Sequence, residues 1–215
     1  MKQKKIICFD MDGTLINSFP AHAKAFNKAF KANKLPEQSE PEMMKLFGVE
    51  AKIIIKKFFP KISVRKLEVC IEDFHNFLRE ETYVHTKQID GAMEALKKLK
   101  KEWKLALVSG TFKSEVQLLL REGGIDQRIF DIVIGGDEVK HEKPSPELIK
   151  KAGDILESEI AWMVGDTIWD IKAGKAAKVR TVAVLTGKTP IEELVKVDPT
   201  MIIQSVYMLP EALKA

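Results

Sequence analysis

The hydrophobic positions of the chain follow two different patterns, and the change between them divides the sequence. The first apolar run, "KKIICFD", has the length of a strand and no polar alternation, which is typical of a strand buried on both faces. From about Phe19 to Val84 the apolar residues recur at helical spacing instead. Breaks at Pro36, Pro41, Gly48 and Pro60 divide this stretch. The pattern predicts about four helices with no strand between them.

From Asp90 onward, short apolar runs alternate regularly with amphipathic stretches. The runs are "KLALVSG", "DIVIGG", "IAWMVGD", "RTVAVLTG" and a short "TMIIQS". Strands that alternate with helices indicate a parallel sheet with right-handed crossovers. We therefore predict an α/β fold, a parallel sheet core flanked by helices, with an inserted all-α domain. The predicted core comprises residues 1–16 and 87–215, and the inserted domain comprises residues 17–86.

Composition and charge exclude several classes of protein. The 215 residues are 45% hydrophobic and 31% charged, and no stretch approaches the ~20 apolar residues of a membrane span. The net charge of +4 is dispersed over Lys/Glu-rich helices, which argues against a nucleic-acid partner. Cys8 and Cys70 have no metal-ligand spacing, so we expect both to be apolar core residues. We expect a cytosolic protein, a monomer or homodimer, that does not bind membranes.

Polar residues gather where the predicted strands end. Four strand ends carry them: Asp10 to Thr14, Ser109 to Thr111, Asp137 to Glu147, and Gly165 to Asp170. Ligands of an open parallel sheet bind beyond the carboxyl ends of its strands. The sequence therefore predicts that these residues form one site.

The residue types at these strand ends suit metal-assisted phosphoryl chemistry. Asp10, Asp12 and Asp166 offer oxygen ligands without His or Cys, which favours a hard cation, most often Mg²⁺. The hydroxyl and ammonium groups suit phosphate oxygens. An aspartate can attack phosphorus, and a second carboxyl two residues on can protonate the leaving oxygen and then activate water. Gly13 would let the chain turn sharply.

These motifs resemble those of the haloacid dehalogenase superfamily, in the branch that contains phosphoglycolate phosphatases and β-phosphoglucomutases. "DMDGT" resembles the first motif of that family, "LALVSG" the second, "KPSPE" the third and "VGDTIWD" the fourth. The resemblance covers nearly the whole chain. It implies a Rossmann-like core with a helical cap and a Mg²⁺-dependent phosphatase that acts on a small phosphorylated metabolite. The aspartate at the third position of the first motif argues against dehalogenase activity.

The resemblance also implies a role for each residue of the motifs. Asp10 would be the nucleophile and a metal ligand, and Asp12 would be the general acid/base, with its backbone carbonyl on the metal. Lys143 would balance the charge on the nucleophile and the phosphoryl group. The remaining residues would bind the phosphoryl group or the metal: Ser109 and Gly110 the phosphoryl group, Asp166 the metal, and Asp170 the shell around it. His22, twelve residues after Asp10, stands where such phosphatases and mutases often carry a histidine that contacts substrate.

Structural alternatives exist for several of these residues. Asp170 could be a first-turn carboxylate favoured by the helix dipole, and His22 could be a packed helix residue. Ser109 or Thr111 could be a helix N-cap. Asp90 is a sensible N-cap for the helix that follows it.

Two other functions compete with a phosphatase. A phosphomutase of the β-phosphoglucomutase type would share every catalytic residue named above. A non-catalytic interaction protein could keep the same fold, although four clustered carboxylates would then lack a physical reason.

Overall fold

The protein was analysed as a computed structural model, which describes residues 3–214 and all their side chains except those of 81–84. Its strands are β1 (Ile6–Phe9), β2 (Ile16–Asn17), β3 (Lys87–Gln88), β4 (Lys104–Val108), β5 (Ile132–Ile134), β6 (Ile160–Gly165), β7 (Arg180–Val184) and β8 (Met201–Ile203). Its α-helices are α1 (Phe19–Ala32), α2 (Glu40–Met44), α3 (Ala51–Phe58), α4 (Val64–His85), α5 (Ala92–Leu99), α6 (Lys113–Glu122), α7 (Glu147–Leu156), α8 (Ile168–Ala176), α9 (Ile191–Lys196) and α10 (Leu209–Ala212). Single 3₁₀ turns lie at Gln127–Ile129, Gly136–Glu138 and Val206–Met208.

Six strands form one parallel sheet in the order β5-β4-β1-β6-β7-β8. The first strand lies at the centre, and all four of its residues are buried. The helices α5, α6 and α10 cover one face of the sheet, and α7 and α8 cover the other. This arrangement confirms the predicted α/β fold, and it explains why the strands read as uninterrupted apolar runs.

The helices α1 to α4 pack around a hydrophobic cluster of their own. The cluster is built on the contact between α1 and α4, and the rings of Phe26 and Phe74 stack there at 3.9 Å between centroids. The four helices match the number predicted for this stretch. We call residues 19–85 the helical block; its role as a cap domain stays a prediction.

A two-stranded antiparallel ladder, β2 with β3, lies at both junctions of the helical block with the rest of the chain. Ile16 pairs with Gln88, and Asn17 pairs with Lys87. Strands of two residues carry no periodic signal, and the sequence analysis did not predict them. The ladder places the segment that leaves the sheet core next to the segment that returns to it.

Three further observations concern local predictions. Asp90 does not cap α5: Gly91 is the N-cap residue, in the left-handed conformation with φ of 74°, which glycine adopts without a Cβ clash. Cys8 and Cys70 are free and buried, as predicted. Within residues 3–214, no helix combines the length and the apolar character needed to cross a bilayer.

Candidate active site

A cavity of about 370 Å³ lies between the carboxyl ends of the central strands and the helical block. Its wall includes six of the seven predicted site residues that lie outside the helical block, all but Asp166: Asp10, Asp12, Ser109, Gly110, Lys143 and Asp170. His22 and further residues of the helical block complete the wall. The structure thus brings residues from four distant segments to one cavity.

Lys143 connects two carboxylates at the floor of the cavity. Its Nζ donates to Asp10 Oδ1 at 2.5 Å and to Asp170 Oδ1 at 2.7 Å, and it also contacts the Val108 carbonyl at 3.3 Å. The side chain of Lys143 is only 8% exposed. A buried ammonium with three acceptors has a fixed position, so Lys143 is not a solvated surface lysine.

Asp10 occupies this position because it continues the central strand. Its backbone N–H donates to the Val164 carbonyl at 2.8 Å, so that it stays paired with β6 one residue beyond the end of β1. Asp166 follows the end of β6 directly. The two carboxylates therefore converge by strand pairing alone.

Asp10, Asp166 and Asp170 form a buried cluster in which one carboxylate oxygen from each residue lies within 4.8 Å of the other two. Three negative charges face the single positive charge of Lys143, and a divalent cation would balance the remainder. The ligands are all hard oxygens, which suits Mg²⁺. The residues present therefore fit the metal that the sequence predicts, with Asp170 nearer to the cluster than expected.

The pKa values of two carboxyls reflect this crowding. Burial raises the pKa of Asp10 well above its usual range; Lys143 opposes the shift, whereas Asp170 and Asp12 add to it. Burial also raises the pKa of Asp166, with Asp10 and Asp170 as further causes. The charged forms of both carboxyls thus need a cation nearby.

Gly13 and Gly187 allow the chain to approach Asp166 closely. Gly13 has a φ of +83°, and a Cβ at this position would lie 2.6 Å from Asp166 Oδ2. A Cβ on Gly187 would lie 1.7 Å from the same oxygen. Both positions therefore need glycine for space, and Gly13 also needs it for conformation.

Asp12 points away from the cluster and into the cavity. Its Oδ1 accepts a hydrogen bond from Ser18 Oγ, and its Oδ2 accepts one from Thr111 Oγ at 3.1 Å. His22 Nε2 lies 3.5 Å from Oδ1. Burial raises the pKa of Asp12, but His22, Ser18 and Thr111 outweigh it and hold that pKa below its usual value.

The predicted phosphoryl-binding residues follow the end of β4. Ser109 is 1% exposed and lines the cavity beside Gly110. Ser109 Oγ accepts a hydrogen bond from the backbone N–H of Thr111 at 3.1 Å. Neither Ser109 nor Thr111 caps α6, whose N-cap residue is Phe112, so that alternative is wrong for both.

Asp170 has two functions that the sequence analysis treated as alternatives. Its Oδ2 accepts hydrogen bonds from the backbone N–H of Thr167 at 3.0 Å and from Thr167 Oγ at 2.6 Å. Its Oδ1 binds Lys143. The carboxylate at the start of α8 therefore closes a capping box and also takes part in the buried cluster.

Sequence reasoning placed Thr14 and Thr111 at the site without a role and did not include Ser18. Ser18 and Thr111 hold the Asp12 carboxylate, and Thr14 Oγ donates to Asp166 Oδ1 at 3.2 Å. Thr14 lies in the "DMDGT" motif, so the motif contained a signal for it. Ser18 and Thr111 lie 93 positions apart, and only the folded chain brings them to the same carboxylate.

Comparison with known proteins supports the resemblance found in the sequence. Residues 7–184 match the haloacid dehalogenase-like hydrolase family. The chain is 35% identical to a phosphoglycolate phosphatase of Aquifex aeolicus over 188 residues, 85% of each chain. It is 30% identical to the pyrophosphatase PpaX of Bacillus mycoides over 192 residues, 86% of this chain and 87% of the other.

The fold is also similar to solved structures. One of them, described as a predicted phosphoglycolate phosphatase from Haemophilus somnus, superposes with a TM-score of 0.88 at 25% identity and covers 99% of both chains. The predicted class of enzyme, a phosphatase, is confirmed with the predicted family. The chain belongs to the haloacid dehalogenase-like hydrolase family.

Proposed function

We propose that this protein is a Mg²⁺-dependent phosphatase that hydrolyses small phosphate monoesters through an aspartyl-phosphate on Asp10. The observation that carries the proposal is the buried ion pair of Lys143 with Asp10, next to two further carboxylates at the floor of a cavity. A nucleophile, a charge-balancing ammonium and oxygen ligands for a hard cation are the groups that phosphoryl transfer to a carboxylate requires.

The metal would be held by Asp10, Asp166 and the backbone carbonyl of Asp12, with Asp170 fixed beside them by Thr167 and Lys143. When bound, Mg²⁺ would neutralise part of the phosphoryl charge and polarise its oxygens. The charge count of the cluster supports a divalent ion, because three carboxylates face one lysine.

The residues of the chain divide the chemistry between them. Asp10 attacks phosphorus and displaces the alcohol oxygen, while Lys143, Ser109 and the Gly110 backbone N–H hold the phosphoryl oxygens. Asp12 takes up a proton when the anionic substrate binds beside it and gives that proton to the departing oxygen. It then takes a proton from the water that hydrolyses the aspartyl-phosphate, which releases phosphate and restores Asp10.

The position of the Asp12 carboxylate supports its role as the acid and base, separate from the nucleophile Asp10. Ser18 and Thr111 orient it toward the cavity and away from the cluster around Lys143. His22, 3.5 Å away, favours the carboxylate form that the second step requires. We therefore assign His22 to the control of Asp12, and its contact with substrate remains part of the proposal.

Phosphoglycolate and sugar phosphates are the first substrates to test, since a relative is named for the former and the sequence resembles enzymes that act on the latter. Cytosolic location and a monomeric or dimeric state remain predictions. A phosphomutase would use the same residues but return the phosphoryl group to a sugar.

The test is phosphate release from a panel of monoesters, with Mg²⁺ and with EDTA, for the wild type and Asp10→Asn. Asp198→Asn is the matched control, because the Asp198 side chain is 92% exposed. We expect release that requires Mg²⁺, disappears in Asp10→Asn and persists in Asp198→Asn. Equal inactivity of all three proteins on every ester would refute the phosphatase, and activity only with a sugar bisphosphate present would assign a mutase.

A further inference from the structure

The cavity extends from the carboxylates into the helical block, and its far part is apolar. The walls there come from the helical block and from the sheet core. They include aromatic and branched side chains: Phe47, Ile54, Ile71, Phe74, Leu78 and Phe112. At about 370 Å³, the cavity is larger than a phosphoryl group with a two-carbon acid needs. It lies at the small end of the range for drug-sized ligands, ~300–1,000 Å³.

One buried carboxylate, Glu115, interrupts this apolar wall. Glu115 lies on α6, its side chain has no exposed surface, and it lines the cavity. Its Oε1 accepts hydrogen bonds from His75 Nδ1 at 2.9 Å and from Arg79 Nη1 at 3.1 Å, both on α4. Its Oε2 is buried and accepts no hydrogen bond within the described part of the chain.

An unpaired carboxylate oxygen in a buried wall is costly, because it has given up its hydrogen bonds to water and gained none in return. Buried polar groups in proteins are nearly always hydrogen-bonded, so this oxygen calls for a partner such as a ligand group or an ordered water. His75 is held in place from two sides, by Glu115 and by the Phe112 ring stacked on it at 4.0 Å. The oxygen therefore has a rigid position in the apolar far part of the cavity.

The charges around the cavity disfavour an anionic leaving group. Besides the catalytic carboxylates, the lining includes Glu50, Glu115 and Glu142, and Glu142 Oε2 lies beside Gly110 at the phosphoryl end. Burial, together with Glu50, raises the pKa of Glu142 to about 7. The described lining residues include two lysines, Lys143 of the catalytic cluster and Lys52. Lys52 is exposed to solvent.

We propose that the alcohol released by this enzyme is an apolar, ring-sized group that carries an amino group for Glu115. The proposal rests on the phosphatase function above and specifies its substrate class. A carboxylate, as in phosphoglycolate, would face Glu115 Oε2 without a hydrogen bond, because two carboxylate oxygens both only accept. A sugar would place several hydroxyls against the apolar side chains of the far wall, where they would lose the hydrogen bonds that they make to water.

Three aryl phosphates test this inference, because they differ only at the para position. The probes are 4-ethylphenyl phosphate, 4-(2-aminoethyl)phenyl phosphate and 4-(carboxymethyl)phenyl phosphate, with phosphoglycolate alongside. Aryl leaving groups of similar acidity keep the chemical step comparable, so that differences in kcat/KM report the cavity. We expect the amino compound to exceed the ethyl compound by about tenfold, as one charge-assisted hydrogen bond allows, and the carboxymethyl compound and phosphoglycolate to be the poorest.

Glu115→Gln tests the residue, and Glu122→Gln on the same helix is the matched control. We expect Glu115→Gln to reduce the amino-to-ethyl ratio of kcat/KM to about one while activity on the ethyl compound persists. The amide oxygen would stay with the donors His75 and Arg79. The amide N–H would then replace Oε2, and it cannot accept a hydrogen bond from an ammonium. A purely structural role for Glu115 would lower activity on all probes together. Glu122→Gln should keep the ratio of the wild type.

The wild type alone can refute the inference without any variant. Equal activity on the amino and carboxymethyl probes, or a preference for phosphoglycolate, would overturn the proposed substrate class and leave the phosphatase intact. No Mg²⁺-dependent hydrolysis of any probe would instead overturn the proposed function and the inference with it.

Discussion

Replacement of Lys143 by methionine tests the electrostatic description of the site through stability, independently of any substrate. Methionine keeps most of the apolar stem and removes the ammonium. The variant leaves Asp10 and Asp170 without the partner that now lies 2.5 and 2.7 Å from their oxygens. All three side chains are less than a tenth exposed, so water cannot take the place of the lysine.

The expected loss follows from this burial. Removal of one partner from a buried ion pair costs about 3–5 kcal/mol. For a chain of this length, each kcal/mol lowers Tm by about 2–4 °C, so the variant should melt about 6–20 °C lower in EDTA. Mg²⁺ should recover part of the loss, because a divalent cation in the carboxylate cluster supplies positive charge where the lysine did.

The assay is thermal and urea unfolding at pH 7.5, first in EDTA and then with Mg²⁺. Lys175→Met is the matched control: Lys175 pairs with Asp198 at 3.0 Å, but the two side chains are 43% and 92% exposed. A pair this exposed contributes ~0–1 kcal/mol. If Lys143→Met lost no more stability than Lys175→Met in EDTA, the reasoning about the buried cluster would be wrong.

Three further predictions concern the walls of the site. Gly13→Ala should abolish Mg²⁺-stimulated activity and destabilise the fold in urea by more than the ~1 kcal/mol of backbone strain alone, because the new Cβ would meet Asp166 at 2.6 Å. Thr167→Val should cost about 1 kcal/mol in urea unfolding through loss of the N-cap, and it should lower kcat because Asp170 loses a hydrogen bond. Glu142→Gln should gain stability relative to the wild type as pH rises from 5 to 8, measured by thermal unfolding.

The sign of the Glu142 prediction follows from its raised pKa. Because the folded state holds this proton up to about pH 7 and the unfolded chain releases it near pH 4.5, the wild type loses stability as pH rises between the two values. Glutamine carries no such proton, so a difference between the proteins that does not change with pH would contradict the assignment.

For Gly13, the comparison is Gly124→Ala, where φ is also positive but the nearest atom is 3.6 Å from the new Cβ. Equal losses at both glycines would exclude the clash with Asp166.

The convergence of Asp10, Asp166 and Lys143 could be predicted because it depends only on sheet topology. Once the strands read as parallel, their carboxyl ends had to meet, and the motif spacing assigned a residue to each end. These inferences need local pattern and chain direction, both of which the sequence contains.

The contacts of Glu115 could not be predicted from the sequence. Glu115 and its partners His75 and Arg79 lie 36 to 40 positions apart on different helices, and each helix reads as an ordinary amphipathic surface on its own. The wrong assignment of Asp90 as an N-cap has a similar origin. Aspartate is a good cap by propensity, but the positive φ at Gly91 shifted the start of α5 by one residue.

The small β2–β3 ladder has a consequence for how this architecture can change. The chain leaves the sheet core and returns to it through two adjacent pairs of residues, Ile16 with Gln88 and Asn17 with Lys87. The helical block is therefore joined to the sheet core through this one short ladder, at the edge of the sheet that carries the carboxylates. Recombination could replace the helical block with a segment of another size without altering the catalytic residues of the sheet core. A new substrate preference could then evolve while the reaction stays the same.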